Sequence, residues 1–456
     1  MNRPRWDRYP DQRTQKAGSV PRPWVADCLT VLAGLGFGVS IALVILATTG
    51  ASLSAPGGWF NLAGRVFAMA GTYSILIMML LIARLPGLER AVGHDKLVHW
   101  HRRLGGWPVL LIGAHILFTT LGYAAAGHVG PIHQLFVFFD SYPEMVKAFI
   151  GTGLLGIATA LSIPVIRRAM AYEKWWAVHL LLYAAVFLSF FHQEQTSPMF
   201  IGHPLATAFW TSLFVITAIA LVLGRVLLPV LMNVRLGLRV ERVEREADGV
   251  VSIVMRGRNL ERLAVTGGQF FQWRFLDRAL WFHAHPYSLS ALPRPPYIRI
   301  TVKDLGDHSA ALAGLRAGTR VFVEGPYGTF TQHRRETNQV TLIGAGVGVT
   351  PLRAILDDLP GNVEVSVIVR ASREEELIHG QEIAALVGAR GGSYIPLVGS
   401  RELVALDARR LRQLVPNIGH GDVYLCGPED FIDTTTSELA TLGVLPERIH
   451  SEIFAF

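Results

Sequence analysis

Long apolar stretches dominate the first half of the chain and are separated by short polar connectors. A transmembrane helix needs about 20 mostly apolar residues, and six of these stretches have roughly that length. They cover residues 25–49, 62–83, 101–124, 146–167, 175–193 and 205–231. We therefore expect an all-α transmembrane bundle of six helices within 24–232. The basic, proline-bearing segment 1–23 before it is expected to be a disordered cytoplasmic tail.

The pattern of hydrophobic residues changes in the second half of the chain. Segments such as VVSIVMRG and YIRITVKDL alternate apolar and polar residues with the period of a β-strand. Their close spacing predicts a small antiparallel β-barrel over 233–336. From 337 to 456 the pattern becomes strand–helix–strand, which predicts a parallel α/β sheet of the Rossmann-like type. The chain is thus expected to be a multidomain membrane protein.

The amino-acid composition agrees with a membrane protein that also has soluble parts. Of the 456 residues, 51% are hydrophobic and only 17% are charged, which is unlike an average soluble protein. The two cysteines, Cys28 and Cys426, lie at the start of an apolar helix and in a Cys-Gly-Pro turn. That placement makes a structural disulfide unexpected.

The distribution of positive charge predicts the orientation of the bundle. The net charge is +7, and the connectors after the second and fourth stretches hold the basic residues Arg84, Arg90, Lys96, Arg102, Arg103, Arg167, Arg168 and Lys174. The opposite loops, near 50–61, 125–144 and 194–203, contain no Lys or Arg. Because basic loops stay in the cytoplasm, both termini and the soluble half are expected on the cytoplasmic side of the plasma membrane. This explains the charge without a nucleic-acid partner.

Four histidines lie in apolar stretches, where a polar ring is costly and usually functional. His101 and His115 share the third stretch, and His179 and His192 share the fifth. Fourteen residues at about 1.5 Å rise place the first pair roughly 21 Å apart, which fits a hydrocarbon core of about 30 Å. Each depth then has one histidine from each helix, as the axial ligation of two b-type haems requires.

Alternatives to this assignment exist for individual histidines. Each of them alone could simply hydrogen-bond a neighbouring helix, and His99 is the alternative to His101, although its spacing to His115 is less favourable. His179 and His192 are thirteen residues apart, or about 220° on an ideal helix. We therefore expect an irregular helix there or rotated haem planes. Two strong axial ligands per iron would restrict such haems to carrying electrons.

Two motifs in the soluble half suggest nucleotide binding. The turn Gly344-Ala-Gly346-Val-Gly348-Val-Thr350-Pro351 follows a predicted strand and opens a predicted helix. Glycines there let the backbone approach a pyrophosphate, and the helix N-terminus supplies amide groups. The second motif, HPYS at 285–288, ends a predicted strand of the barrel and offers a ring and a hydroxyl to a flavin. Four residues alone are more typical of an ordinary strand and turn.

The order and spacing of these features resemble the ferric reductase and NADPH oxidase superfamily. The similarity rests on the six stretches, the four histidines and the motifs HPYS, GPYG, GAGVGVTP and LCGP, and it covers about residues 25–456. The soluble half resembles a ferredoxin–NADP reductase module. The resemblance implies FAD, two haem b groups and NADPH as cofactors, with a FAD domain at 233–336 and an NADPH domain at 337–456.

The resemblance also implies roles for the matching positions. The flavin would be bound by His285, Pro286, Tyr287, Ser288, Arg299, Thr301 and Lys303, and the flavin domain would be closed by Gly325, Pro326, Tyr327 and Gly328. The nicotinamide cofactor would contact Gly344, Gly346, Gly348, Thr350, Pro351, Cys426, Gly427 and Pro428. Phe456 would cover the flavin face and yield to nicotinamide, with a packed strand residue as the alternative. The expected catalytic positions are therefore Ser288, Cys426 and Phe456.

The choice between NADPH and NADH depends on the loop after the second strand of the α/β half. Arg370, Ser372 and Arg373 lie where a ribose 2′-phosphate would sit, and phosphate prefers arginine and hydroxyl donors. The acidic residues 374–376 follow directly, and a carboxylate there would favour the free 2′-hydroxyl of NADH. We expect NADPH, with NADH as the alternative.

Taken with the resemblance, these features predict electron transfer from cytoplasmic NADPH to an acceptor outside the membrane. The short outer loops favour a small acceptor, and we expect O2, giving superoxide, with a ferric chelate as the alternative. Two other classes of function stay open. One is an electron-supply subunit for an extracytoplasmic reductase partner. The other is a transporter or a haem-binding membrane protein with a decayed reductase half, against which the intact motifs argue.

Overall fold

The computed structural model describes residues 23–278, 280–281, 283–400 and 404–454. The predicted tail at 1–23 therefore lies outside the described residues apart from Pro23. The chain divides into two compact units, with the boundary between Arg225 and Val226. The first is helical, and the second contains all the described β-strands.

The helical unit consists of apolar helices joined by short turns. Its helices are α1 Pro23–Leu46, α2 Gly50–Ser54, α3 Gly58–Leu81, α4 Pro86–Val92, α5 His94–Leu104, α6 Gly106–Ala126, α7 Pro131–Ser141, α8 Met145–Ala160, α9 Pro164–Arg168, α10 Tyr172–His179, α11 Leu181–Thr196 and α12 Pro204–Val222. A π-helical turn, Leu223–Leu227, connects α12 to α13, Leu228–Leu236.

Five helical segments in the described residues are long and apolar enough to cross a membrane. They are Trp24–Leu46, Gly58–Leu81, Lys96–Ala126, Lys174–Thr196 and Pro204–Leu236. The fourth predicted span is shorter than expected, because α8 has 16 residues and Pro164 starts a separate helix after it. At about 1.5 Å per residue α8 extends only about 24 Å, less than a hydrocarbon core of about 30 Å. The bundle of six full-length spans is therefore not confirmed.

Both histidine-bearing segments are interrupted between their two histidines. Gly105 separates α5 from α6, and Leu180 separates α10 from α11, directly after His179. Leu180 keeps helical backbone angles, with φ −65° and ψ −21°, as does Gly105, with φ −55° and ψ −31°. Each segment therefore continues through a local irregularity, and the irregular helix expected between His179 and His192 takes only this mild form.

Glycines let the histidine-bearing helices pack closely against their neighbours. A Cβ on Gly64 of α3 would collide with Thr119 of α6, and a Cβ on Gly151 of α8 would collide with Ser189 of α11. Small residues are typical of membrane interfaces in which two helix backbones approach each other. The pairs α3–α6 and α8–α11 thus form the frame around the histidines.

The second unit begins with two antiparallel sheets of three strands each. Its first elements are β1 Arg239–Ala247, β2 Val250–Arg256, β3 Phe270–Phe275, β4 His285–Ser288, β5 Tyr297–Lys303, α14 Asp307–Leu312 and β6 Val321–Tyr327. The strand orders are β1-β2-β5 and β4-β3-β6. The two sheets are joined by isolated bridges, Arg239–Arg320 and Leu289–Ile300, and not by continuous ladders. The predicted antiparallel strands are present, but a closed barrel is not confirmed.

The remainder of the second unit is a five-stranded parallel sheet with helices, as predicted. Its elements are β7 Gln339–Ala345, α15 Val349–Asp358, β8 Glu364–Ala371, α16 Gly380–Gly388, β9 Ser393–Val398, α17 Ala408–Leu414, β10 Asp422–Gly427, α18 Glu429–Thr441 and β11 Ile449–Ile453. The strand order is β11-β10-β7-β8-β9. The order reverses between β7 and β10, and ligands of such sheets bind at the carboxyl ends of the strands beside this reversal.

Candidate functional site

The structure brings His101 and His179 together from two different helices. Their ring centres are 6.3 Å apart, and their ring planes meet at 77°. Metal–imidazole bonds of about 2.0–2.1 Å would separate two axial nitrogens by about 4 Å and the ring centres by about 2 Å more. The observed spacing therefore suits a metal held axially between the two rings.

Hydrogen bonds leave the Nε2 atom of both rings available. The Nδ1 atom of His101 is 3.1 Å from the carbonyl oxygen of Met78, and Nδ1 of His179 is 3.4 Å from Oγ of Ser162. A carbonyl oxygen only accepts, so Nδ1 of His101 donates and its Nε2 carries the free lone pair. Metal-binding histidines usually have this arrangement. His99, the alternative to His101, is exposed.

His115 and His192 line one cavity between α3, α6, α8 and α11. Its wall is largely apolar, with Thr72, Thr119 and Ser189 among the few polar residues. Cofactor sites typically have a predominantly apolar lining with a few polar groups. The second predicted histidine pair therefore shares one apolar cavity.

The two rings of this second pair differ in their hydrogen bonds. Nδ1 of His115 is 3.0 Å from the carbonyl oxygen of Gly64 and 3.1 Å from Oγ1 of Thr119, so its Nε2 is free to bind a metal. Among the described residues, the buried Nδ1 of His192 has no hydrogen-bond partner of regular geometry, and the backbone of Ser189 interacts with this ring only weakly. His192 is therefore held less firmly than His115.

The residues at both levels fit a haem better than a bare metal ion. Nowhere in the described residues do three or more His, Cys, Asp or Glu side chains form a group that could hold a metal. Each histidine pair offers two nitrogens, which is the axial set that a haem iron needs, because the porphyrin supplies the other ligands. Haem ligation by these four histidines stays a prediction with suitable geometry.

The glycine turn after β7 is built for close backbone contacts. Gly346 has a φ of +56°, which favours glycine, and a Cβ on Gly348 would collide with the carbonyl group of Cys426. Thr350 is buried, and its hydroxyl donates to the carbonyl oxygen of Val347 at 2.6 Å. Pro351 lies in the first turn of α15, where its missing N–H costs nothing. The turn lies beside the strand reversal, where a pyrophosphate would be expected.

Strand β3 brings the HPYS and GPYG motifs together. Its residue Phe270 pairs with Ser288 on one side and with Tyr327 on the other. Gly328 follows with a φ of +93°. The Tyr287 ring stacks on that of His285 with centres 6.3 Å apart, and burial raises the pKa of Tyr287 to about 12, so its phenol stays neutral. The two motifs that the resemblance assigns to flavin thus share one sheet.

Two of the expected flavin contacts on β5 have protein partners instead. The guanidinium of Arg299 donates to both carboxylate oxygens of Glu382 at 2.8 Å, and Oγ1 of Thr301 is 2.9 Å from Nε2 of His379. Both side chains are buried, whereas Lys303 at the end of the strand is exposed. Of these three residues, only Lys303 therefore has a solvent-exposed side chain.

Charge pairing controls the ionisation of this buried cluster. Burial alone would raise the pKa of Glu382, but the hydrogen bonds and charge of Arg299 hold that pKa well below its usual value. Arg353 of α15 adds a further bond, from Nε to Glu382 at 3.0 Å. Burial also lowers the pKa of His379, so that ring is neutral at pH 7. The cluster links β5 to α15, which carries Arg353, and to α16, which carries Glu382.

The loop after β8 places the expected phosphate donors next to an acid. Arg373 forms an ion pair with Glu376 at 3.1 Å, and the same carboxylate accepts from the backbone N–H of Ser372 at 3.2 Å. Arg370 is half-buried near the end of β8. A 2′-phosphate would therefore have to compete with Glu376 for Arg373, so the preference for NADPH stays a prediction.

The positions expected beside nicotinamide differ in accessibility. The Cys426 side chain is fully buried in the core of the α/β sheet, and burial raises the pKa of its thiol well above the usual range. The following residues, Gly427 and Pro428, end β10 and start α18. The backbone of Cys426, and not its thiol, meets the glycine turn. Phe456 lies outside the described residues.

Some residues of these sites could not have been identified from the sequence. Glu382 and Arg353 are single charged residues in ordinary helical patterns, and nothing in the sequence pairs them with Arg299. Trp175 offers a weak signal, because it precedes His179 by four residues and side chains at that spacing share a helix face. Ser162 offers none.

Comparison with known proteins finds relatives of both halves. Residues 67–190 match the family described as ferric reductase like transmembrane component. A flavohemoprotein of Bacillus subtilis is 28% identical over 232 residues, which cover 47% of this chain and 58% of that protein. An NADPH oxidoreductase of Mycobacterium tuberculosis is 26% identical over 179 residues, 37% of this chain and 47% of that protein. The chain thus spans about half the length of these curated relatives.

A solved structure is similar over a comparable length. It is the flavohem-like FAD/NAD binding domain of nitric oxide dioxygenase from Vibrio cholerae, at 26% identity and a TM-score of 0.40, covering 48% of this chain and 98% of that one. The helical half of our chain is a membrane domain, since it combines the family match with five apolar spans. The chain therefore joins a ferric-reductase-like transmembrane domain to a flavohemoprotein-like reductase module, which is the fused architecture of ferric reductases and NADPH oxidases.

Proposed function

We propose that this protein transfers electrons across a membrane from NADPH, through FAD and two haem b groups, to an acceptor on the far side. The observation that carries the proposal is the pairing of four intramembrane histidines at two positions, His101 with His179 and His115 with His192. The fused reductase module supplies a matching source of electrons. When bound, FAD accepts a hydride and releases single electrons, which haem iron accepts one at a time.

The residues of the chain have distinct tasks in this proposal. The histidines bind the two irons through Nε2, while backbone carbonyls hold His101 and His115 by Nδ1. The glycine turn after β7 lets the cofactor pyrophosphate approach the backbone and the first turn of α15. Arg370 lies near the end of β8 and Arg373 follows that strand, and both would contact a 2′-phosphate there. The relative named as an NADPH oxidoreductase supports NADPH over NADH.

The proposed orientation places the reductase module in the cytoplasm of a plasma-membrane protein. It rests on the basic connectors around Arg102 and Arg167 and on the absence of Lys and Arg from the opposite loops. The His101–His179 pair then lies on the cytoplasmic side and the His115–His192 pair on the outer side. Electrons would reach the first pair before the second.

The acceptor we propose is O2, reduced to superoxide. Strong ligands on both sides of each iron suit electron transfer to a small acceptor without direct iron binding. The test is O2 uptake by the purified protein with NADPH and FAD and no added iron, with and without superoxide dismutase. Rapid uptake that the dismutase partly returns as O2 supports the oxidase, and negligible uptake while the haems are reduced rejects it.

A ferric chelate is the second candidate acceptor, because the matching family is described as ferric reductase like. The same purified protein can be tested for reduction of a ferric chelate. Reduction of a ferric chelate that continues under argon and is unaffected by superoxide dismutase supports the reductase. If neither acceptor is reduced, an electron-supply role for a separate protein partner becomes the better explanation, and a complex that survives purification would support that role.

A further inference from the structure

His179 contacts one side chain of its own helix, Trp175, and one from the turn after α8, Ser162. The Trp175 ring stacks on the His179 ring with centres 5.0 Å apart and planes at 29°. Ser162, in the turn after α8, places its Oγ 3.4 Å from Nδ1 of His179 and 3.2 Å from Nε1 of Trp175. The Arg167 guanidinium lies 4.5 Å from the centre of the Trp175 ring.

The hydrogen bonds of Ser162 determine which nitrogen of His179 carries the proton. A serine hydroxyl has one hydrogen, and that of Ser162 is donated to the carbonyl oxygen of Ala158 at 2.7 Å. Its oxygen can therefore only accept from its other neighbours. Trp175 Nε1 is always a donor, and Nδ1 of His179 must donate as well. Nε2 of His179 is then left with its lone pair, as a metal ligand requires.

This support differs from that of the histidine on the opposite side. Nδ1 of His101 donates to the backbone carbonyl of Met78, and a backbone partner cannot be changed by substituting its side chain. Nδ1 of His179 instead depends on a side chain, the hydroxyl of Ser162, and its ring stacks on the side chain of Trp175. The contacts that orient the His179 ring can therefore be changed by substitution.

We propose that Ser162 and Trp175 are positioning residues that fix the tautomer and ring plane of His179 and thereby tune the haem held by His101 and His179. The proposal rests on the proposed function, because it requires that haem. A hydrogen bond from Nδ1 to oxygen makes the imidazole a stronger electron donor to iron, which favours the ferric state. The guanidinium of Arg167, 4.5 Å from the centre of the Trp175 ring, adds a cation–π contact to that ring.

The experiment compares full-length Ser162→Ala with wild type by potentiometric titration of the haem spectrum and by EPR of the ferric protein. We expect two haems per chain, an upward shift in one of the two reduction potentials and a changed EPR signal for the same haem. The haem of the other histidine pair serves as an internal control. Ser40→Ala is the matched control variant, because the Ser40 hydroxyl also donates to the carbonyl four residues earlier, at 2.8 Å, but in α1. It should change neither haem.

A second pair of variants separates the two contributions of Trp175. Trp175→Phe keeps an aromatic ring over His179 and loses the N–H, so the EPR signal should stay close to that of wild type. Trp175→Leu loses the stacking, so the EPR signal of the same haem should change as the His179 ring rotates. Identical spectra for Trp175→Leu and wild type would overturn the role of Trp175.

The outcomes also separate this proposal from the proposed function. If wild type binds no haem, the proposed function fails. If wild type binds two haems and Ser162→Ala leaves both potentials and the EPR spectrum unchanged, only the positioning role is wrong. If Ser162→Ala loses one haem, Ser162→Thr decides, because it keeps the hydroxyl oxygen. Return of that haem with the wild-type potential supports the proposal, and failure to return overturns it.

Discussion

The imidazole rings of His101 and His179 face each other across 6.3 Å with their planes close to perpendicular, at 77°. His101 lies in α5 and His179 ends α10, and four helices, α6 to α9, separate them in the sequence. His179 thus faces a histidine of a distant helix, although its spacing to His192 does not fit one helical face.

Substitution of one histidine should remove one haem and leave the reductase module working. His192→Ala is expected to lower the haem content from two per chain to one, because each pair is proposed to hold one iron. Reduction of the external acceptor should then stop, while reduction of FAD by NADPH should continue. Pyridine haemochrome analysis and stopped-flow flavin absorbance measure the two effects. A haem content that stays at two would show that His192 is not a ligand, and His99→Ala, an exposed histidine, is the control.

Gly348→Ala should disrupt the nicotinamide site, because its Cβ would collide with the carbonyl group of Cys426. Either the glycine turn or the end of β10 must move. We expect at least a tenfold loss in kcat/KM for NADPH-driven flavin reduction, equivalent to about 1.4 kcal/mol. Gly361→Ala is the control, since nothing lies within 4 Å of a Cβ at that position. Equal kinetics for the two variants would contradict a close contact at Gly348.

Glu382→Gln should destabilise the reductase module by about 3–5 kcal/mol, because it leaves the buried cations of Arg299 and Arg353 without their shared carboxylate. Chemical denaturation of the full-length protein, followed by flavin fluorescence, measures the loss. Glu375→Gln, an exposed acid in a nearby loop, should change stability by much less.

The stabilisation that Glu382 provides should depend on pH, and Glu382→Gln measures that dependence. The pKa of Glu382 is lower in the folded protein than in the unfolded chain, so its contribution is complete above the unfolded value of about 4.3. It declines as the pH falls below that value towards the folded pKa. The stability difference between wild type and Glu382→Gln should therefore be constant near neutral pH and shrink in acid. A difference that grew in acid would mean that another group dominates.

Glu376 and Arg373 should influence the preference for NADPH in opposite directions. Glu376→Gln removes the partner of Arg373 and a negative charge, so the ratio of kcat/KM for NADPH to that for NADH should rise. Arg373→Ala should lower the ratio. Because the pair is exposed, each change is expected to be about 1 kcal/mol, or roughly fivefold. The prediction is wrong if both variants shift the ratio in the same direction. Glu374→Gln, which is also exposed, serves as the control.

The two cysteines should differ in reactivity. Cys426 is buried, and its raised pKa keeps the thiol protonated, whereas Cys28 is exposed on α1. Mass spectrometry after brief maleimide treatment should find Cys426 unlabelled in the native chain and labelled after denaturation, with Cys28→Ser as the background in which only Cys426 can react. Rapid labelling of native Cys426 would mean that the end of β10 opens, as a direct contact of this thiol with nicotinamide would require.

Hydropathy and motif spacing determined much of this protein before any tertiary structure was considered. The apolar lengths predicted a helical membrane domain, and the change from period-two strands to strand–helix repeats predicted the two parts of the reductase module. The chain order Gly344 to Pro351 correctly predicted a glycine turn that opens a helix. These features are local, so consecutive residues specify them through length, period and backbone freedom.

The sequence also predicted that His101 and His179 lie at one depth, since axial spacing follows directly from helical rise. The mostly apolar stretch 146–167 predicted a full span, but Pro164 within it starts a new helix, and α8 is too short as a result.

Only the tertiary structure decided which distant side chains share a site. The resemblance made Arg299 a flavin contact, and only the structure shows that Glu382, 83 residues later, binds its guanidinium. Nothing in the sequence indicates a role for Ser162, and only the structure shows that it lies beside His179 and Trp175. Such contacts depend on the relative positions of whole elements, and these positions follow from packing over the entire unit and not from any local pattern.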